Sequence, residues 1–153
     1  MQGQLKSRKI RLIWVGKTKE RCIAEGLEKY IRLLKPYADV SITEIREEKG
    51  SDTRRMLQKE GERIMKLGVP FILLDEKGEG LTSVEFADFI GRYTPEINFL
   101  VGGAYGVSEK VKEMALRKIA LSRMTLTHDM ARLLLGEQIY RAFTIIHKRG
   151  YHH

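Results

Sequence analysis

Two short apolar runs constrain the fold of this chain more than any other feature. Residues 70–75 (PFILLD) and 97–101 (INFLV) show no alternation of polar and apolar side chains, and each ends in a glycine-containing turn signal. Runs of this kind are strands covered on both faces, as in the middle of a parallel sheet with helices on either side. Residues 9–16 (KIRLIWVG) read the same way, apolar on both faces apart from Arg11 and closed by glycine.

The intervening segments have helical or edge character. Residues 20–35 place Ile23, Leu27, Tyr30, Ile31 and Leu34 at helical spacing, and Pro36 stops them. Residues 39–45 (DVSITEI) predict a second strand, followed by a polar connector, EEKGSD. Residues 53–67 predict a helix with Met56, Glu60 and Ile64 on one stripe, Arg54 and Arg55 toward solvent, and Gly68 as its stop. After a turn at 76–80 (EKGEG), Thr82 and Glu85 stand at capping-box spacing ahead of Phe86, Phe89 and Ile90. Ser108 is the expected cap of a helix reaching Arg117, and residues 119–122 are expected to form a short strand. Thr127 or His128 opens the last helix, which carries Met130, Leu133, Leu134, Glu137, Tyr140 and Arg141 near one another on its surface. Strands alternating with helices predict an α/β fold with a mostly parallel sheet flanked by helices. There is no repeat or linker, so one domain is expected over residues 9–153, after a disordered lead-in at residues 1–8.

Composition narrows the function classes. A chain of 153 residues can bury a proper core. Its net charge of +8, from 28 Lys+Arg against 20 Asp+Glu, attracts polyanions. The cations are spread along the chain rather than gathered on one amphipathic helix, which favours nucleic acid over a membrane surface. No apolar run approaches the roughly 20 residues that span a bilayer, and no apolar segment follows the basic start as in a secretory signal. The single cysteine, Cys22, permits no intramolecular disulfide, fits a reducing cytoplasm, and is expected as a small core or boundary residue. The four histidines, His128, His147, His152 and His153, show no ligand spacing with cysteines or carboxylates, so no metal is expected.

In parallel sheets ligands bind beyond the carboxyl ends of strands. That rule selects residues 73–75, residues 101–106 and the segment after Leu121. The glycines of 102–106 (GGAYG) permit a tight turn and close approach of a ligand to the backbone. They form neither GxGxxG nor a phosphate loop, and a plain strand-to-helix turn stays an equal reading. Ser122, Thr125, Thr127 and His128 set hydroxyls and an imidazole between a strand and a long helix, suited to a nucleoside but equally to a helix cap. The tail 148–153 (KRGYHH) offers a stacking phenol, two imidazoles and two cations, or a frayed end.

Taken together, KIRLIWVGK, LLDEKGEGLTS, FLVGGAYGVSEKV, LSRMTLTHDMARLLLGEQIYRA and the terminal YH resemble the bacterial large-subunit (23S) rRNA pseudouridine N3-methyltransferases, small members of the SPOUT or α/β-knot superfamily. The likeness runs from about Lys9 to His152. It implies a C-terminal trefoil knot, a homodimer, and S-adenosylmethionine as methyl donor, with no metal. It implies donor-binding positions at Leu74, Gly103, Ser122, Arg123, Met124, Thr125, Leu126 and Thr127. It implies catalytic roles for Tyr151 and His152, acting in the partner subunit's substrate site, and for Arg141 near the donor pocket. The implied substrate is a pseudouridine of 23S rRNA in the large subunit or the assembled ribosome. The chain departs from the family pattern at Gly150, where relatives often have proline before Tyr-His, and at Thr127, where several have proline. A non-enzymatic basic RNA-binding or ribosome-assembly protein is the alternative, separated by whether the chain binds the donor.

Overall fold

A computed structural model describes residues 8–93 and 96–153. Five strands and five helices follow one another: β1 (Lys9–Val15), α1 (Arg21–Leu34), β2 (Asp39–Ile45), α2 (Thr53–Met65), β3 (Ile72–Gly80), α3 (Ser83–Arg92), β4 (Glu96–Val101), α4 (Glu109–Met114), β5 (Arg117–Ala120) and α5 (His128–Ile146). The sheet order is β2-β1-β4-β3-β5, and every pairing is parallel.

The apolar runs are explained by two cores, one on each face. Ile10, Leu12 and Trp14 of β1 and Phe99 and Val101 of β4 pack with α1, α3 and α5. Ile13 and Val15, with Leu100 and Leu73, pack with Ile64 of α2 and Val111 of α4. Burial on both sides removes the need for polar positions in β1 and β4. Helix α5 buries Leu135, Ile139, Ala142 and Phe143 at helical spacing, and it lies against both α1 and α3. The expected capping box at Thr82 and Glu85 is present, each side chain bonded to the other's backbone amide.

Several expectations are corrected. The segment 76–80 is not a simple turn: β3 continues through it, with Leu74 and Glu79 both opposite Ile119 of β5. The intervening residues form an excursion within the strand, and Gly78 in it lies so close to β5 that a Cβ would sit 2.6 Å from the Lys118 carbonyl carbon. Helix α4 ends at Met114, not Arg117, because Leu116 N–H donates to the Phe71 carbonyl and the chain joins the sheet. Strand β5 accordingly starts at Arg117, earlier than 119. Cys22 is exposed rather than at the core, since it stands about 100° round α1 from buried Ile23. Residues 1–7 of the expected lead-in lie outside the described residues. Arg8 donates to the carbonyls of Ile90 and Gly91, both at 3.3 Å, and its guanidinium lies 5.7 Å from the Phe143 ring centre.

Candidate active site

The sheet register gathers three of the sequence-selected segments. Leu74 pairs with Val101 of β4 on one side and with Ile119 of β5 on the other. Gly103 and Ser122 follow those two partners within a few residues, so the ends of β4, β3 and β5 present Leu74, Gly103 and the 122–127 loop side by side. Leu74 is half-buried, as are Gly103 and Ser122.

The glycine turn closes on itself. Gly106 N–H donates to the Gly103 carbonyl at 3.0 Å, with Gly106 at φ +78°. A Cβ on Gly102 would stand 2.9 Å from the Gly106 carbonyl carbon, so the turn itself demands glycine there. At Gly103 a Cβ would meet only Val15, at 3.7 Å. The chain therefore has no internal steric need for glycine at 103, and its backbone is open to a ligand.

The loop from Ser122 to Thr127 is held at both ends. Ser122 Oγ accepts from Met124 N–H at 2.9 Å, and Thr125 Oγ1 donates to Glu76 Oε2 at 2.8 Å. Thr127 caps α5 by accepting from Met130 N–H. Among the described residues, the amides of Arg123, Thr125 and Leu126 meet no acceptor. Arg123, Met124, Thr125 and Thr127 are exposed, Met124 at 78%. Free amides, an apolar side chain and an adjacent glycine suit a donor with a polar heterocycle and a carboxylate.

The remaining predicted site residues form a second cluster at the far end of α5. Lys148, in the left-handed region at φ 54°, ends the helix, with Arg149 N–H donating to the Thr144 carbonyl at 2.7 Å. This reversal lays the tail back along the helix. Glu137 Oε1 accepts from Arg141 Nε at 3.0 Å, from Arg141 Nη2 at 2.6 Å and from the Tyr151 hydroxyl at 3.1 Å. Arg141 lies 4.8 Å from the Tyr151 ring centre, and Tyr151 packs edge-on to Tyr140 at 4.8 Å. Arg141 Nη1 is 3.0 Å from His152 Nδ1; a guanidinium only donates, so Nδ1 accepts and the ring proton sits on Nε2. Partial burial, then hydrogen bonding with Tyr30 and the charge of Glu137, push the Tyr151 phenol well above its ordinary value, so it is neutral and a donor. The hydrogen bond to Glu137 raises Arg141 further.

One chain does not unite these clusters. Glu137 and Arg141 stand ten and fourteen residues beyond Thr127, about 15 and 21 Å along the helix axis.

Two buried charged residues beside the site carry no signal in the surface pattern of the last helix. Arg132 is wholly buried and Asp129 is 5% exposed, both in the first turns of α5. Arg132 donates to Thr18 Oγ1 at 3.1 Å and to the Val15 carbonyl at 2.7 Å, with its guanidinium 4.9 Å from the Trp14 ring centre. Asp129 Oδ2 accepts from the amides of Lys19 and Glu20 at 3.0 and 2.8 Å. They fasten residues 16–20 to the start of α5. Their signal lies on the buried side: positions 129 and 132 share the helical stripe of Leu135 and Ile139, where a charge must be paired. Among the described residues no group of His, Cys, Asp and Glu is arranged to hold a metal, and no helix is long and apolar enough to cross a membrane.

Comparison with known proteins gives these geometries a context. A family described as "Predicted SPOUT methyltransferase" matches residues 8–152. The chain is 49% identical over 153 residues to the ribosomal RNA large subunit methyltransferase H of Geobacter sulfurreducens, covering 95% of this chain and 99% of that one. It is 43% identical over 146 residues to the protein of the same name from Thermodesulfovibrio yellowstonii, with 95% and 99% covered. Among solved structures, a probable methylase family protein from Haemophilus influenzae superposes with a TM-score of 0.56 at 13% identity, over 97% of this chain and 71% of that one. A probable rRNA-methyltransferase from Porphyromonas gingivalis does so with a TM-score of 0.54 at 16% identity, over 91% and 70%. At such identities the two structures speak to the fold alone.

Proposed function

The chain belongs to the SPOUT methyltransferase family, and on that premise we propose that it methylates N3 of a pseudouridine in 23S rRNA, using S-adenosylmethionine. The substrate is the large subunit or the assembled ribosome, in the cytoplasm. The relatives' name, ribosomal RNA large subunit methyltransferase H, supports the substrate class. The net charge of +8 supports it independently.

The observation that carries the reading is the separation of the two clusters along α5. The donor positions Leu74, Gly103 and Ser122 to Thr127 stand at one end, and Tyr151, His152 and Arg141 at the other. A homodimer with its α5 helices brought together lets the tail of one protomer complete the donor site of its partner. The trefoil knot belongs to the same reading.

Leu74 and the loop amides would hold the donor's adenine, and open Gly103 would make room for its sulfur-bearing part. When bound, S-adenosylmethionine supplies a methyl group on a sulfonium, already a good leaving group, so the protein's main task is positioning. Tyr151, its neutral phenol donating to Glu137, offers its ring to stack on the acceptor base. Arg141, fixed by Glu137, places positive charge beside the anion that forms when the imide loses its proton. The imidazole of His152 can accept that proton at Nδ1 once Arg141 turns from it toward the anion.

Transfer of labelled methyl from S-adenosylmethionine to ribosomes lacking the modification, with the product nucleoside identified by mass spectrometry, tests the proposal. N3-methylpseudouridine is the expected product. Absence of both donor binding and transfer to any rRNA would leave an RNA-binding protein instead.

A further inference from the structure

A second cleft opens at the same sheet edge, between the ends of β1 and β4 and on the α2 side. It is a small hollow of roughly 50 Å³, and Lys17, Lys19, Tyr105, His128, Glu47 and Glu60 are among its walls. None of the first three belongs to the donor positions or to the tail cluster, yet Gly103 lines this cleft as well.

Its outer rim has the chemistry of a nucleic-acid contact. Tyr105 is 66% exposed, an unusual state for a large aromatic side chain. Lys17 and Lys19 are exposed, and among the described residues neither ammonium has a carboxylate partner. Both supports are rigid. The lysine loop is fastened through Asp129 and Arg132, and Tyr105 sits in the closed turn from Gly103 to Gly106. A backbone already held in place loses little entropy on binding. The inner wall is different, since Glu47 and Glu60 bring carboxylates from the α2 side. Phosphates are thereby confined to the lysine rim, while a base stacked on Tyr105 can turn an N–H edge toward the carboxylates.

We propose that the rim of this cleft holds a nucleotide flanking the methylated one, its base stacked on Tyr105 and its phosphates against Lys17 and Lys19. This rests on the rRNA reading of the neighbouring site and extends it to a second contact.

The test uses the full chain with ribosomes lacking the modification, comparing Tyr105→Ala, Tyr105→Phe, and a Lys17→Ala, Lys19→Ala double variant. Tyr105→Ala is expected to raise KM for the ribosomal substrate roughly tenfold or more, and Tyr105→Phe to keep it near wild type, as stacking requires. The double variant is expected to lower the slope of log affinity against log salt by about 1 to 2, one ion release per lost phosphate contact. S-adenosylmethionine affinity, read by calorimetry, stays within about twofold of wild type. Unchanged KM and salt slope in an otherwise active enzyme overturn the cleft proposal and leave the rRNA reading standing. Failure of the unmodified chain to methylate any rRNA sinks the reading itself. Loss of the dimer in Tyr105→Ala, seen by sedimentation, shows a protomer contact and also overturns the proposal.

Discussion

Arg132 Nη2 donates to the carbonyl oxygen of Val15 at 2.7 Å, joining the last helix to the end of the first strand across 117 positions of sequence. The same guanidinium lies 3.9 Å from Asp129 and is fully buried. Removing one partner of a buried charged pair strands the other, at about 3–5 kcal/mol. Arg132→Ala should destabilise the fold by an amount in that range, and Arg132→Met by less, because it refills the space beside Trp14. Urea unfolding at neutral pH measures both. A loss below about 1 kcal/mol in Arg132→Ala would mean that the two amides bonded to Asp129 hold the loop without it.

Adjacent glycines should separate folding from binding. Gly102→Ala puts a Cβ 2.9 Å from backbone atoms of Gly106, so the turn must shift and stability falls. At Gly103 an added Cβ meets only Val15, at 3.7 Å, so Gly103→Val should fold and keep the native oligomeric state while losing S-adenosylmethionine binding. Thermal unfolding, calorimetry and a solution mass measurement together give the contrast. Undiminished donor affinity in Gly103→Val would remove Gly103 from the site.

Glu60 gives a stability signature in pH. Burial pushes its carboxyl above the ordinary value of 4.5, more strongly than the Glu48 amide bond lowers it. The folded chain then holds that proton more tightly than the unfolded chain. The stabilisation is complete below pH 4.5 and lost as pH rises through the raised folded value. Glu60→Gln keeps an oxygen for the Glu48 amide without the charge. It should melt at a higher temperature than wild type at neutral pH, with the difference closing toward acid. An equal difference at every pH would argue against titration of Glu60 as its source.

Much of this was legible in the sequence, for identifiable reasons. Strands β1 and β4 were readable because burial on both faces leaves an unbroken apolar run, and α3 because Thr82 and Glu85 form a local cap. Strand β5 was misplaced because four residues, RKIA, bury only Ile119 and Ala120 and owe their conformation to pairing with β3. The excursion at 75–78 reads as a turn locally, and only the return of Glu79 to Ile119 makes it part of a strand. The proposed donor positions fall where the sheet rule pointed as well as where the resemblance did, and the register sets Leu74 beside Val101. The Asp129–Arg132 clasp was missed because its partners, Val15, Thr18, Lys19 and Glu20, lie over a hundred residues away.

The tail should divide binding from chemistry. Deleting residues 151–153 removes the edge contact with Tyr140, the stack on Arg141 and one bond to Glu137, all remote from the donor loop. S-adenosylmethionine affinity should stay near normal while methyl transfer is abolished. Tyr151→Phe gives up only the hydroxyl bond and should cost less than Tyr151→Ala, which also loses the ring. Because the folded phenol is held above its ordinary value of 10.0, its contribution to tail packing is complete below that pH and is lost as pH rises above it. Phenolate absorbance should show this late titration in wild type, with the corresponding component missing from Tyr151→Phe. His152→Ala should lower the single-turnover rate by about a hundred- to ten-thousand-fold, the usual worth of a placed base, and flatten the acidic limb of the pH profile. Single turnovers on ribosomes with saturating donor resolve these cases. Wild-type rates in the truncated chain would make the tail a packed end without a catalytic part, and would turn the search for the base to His128.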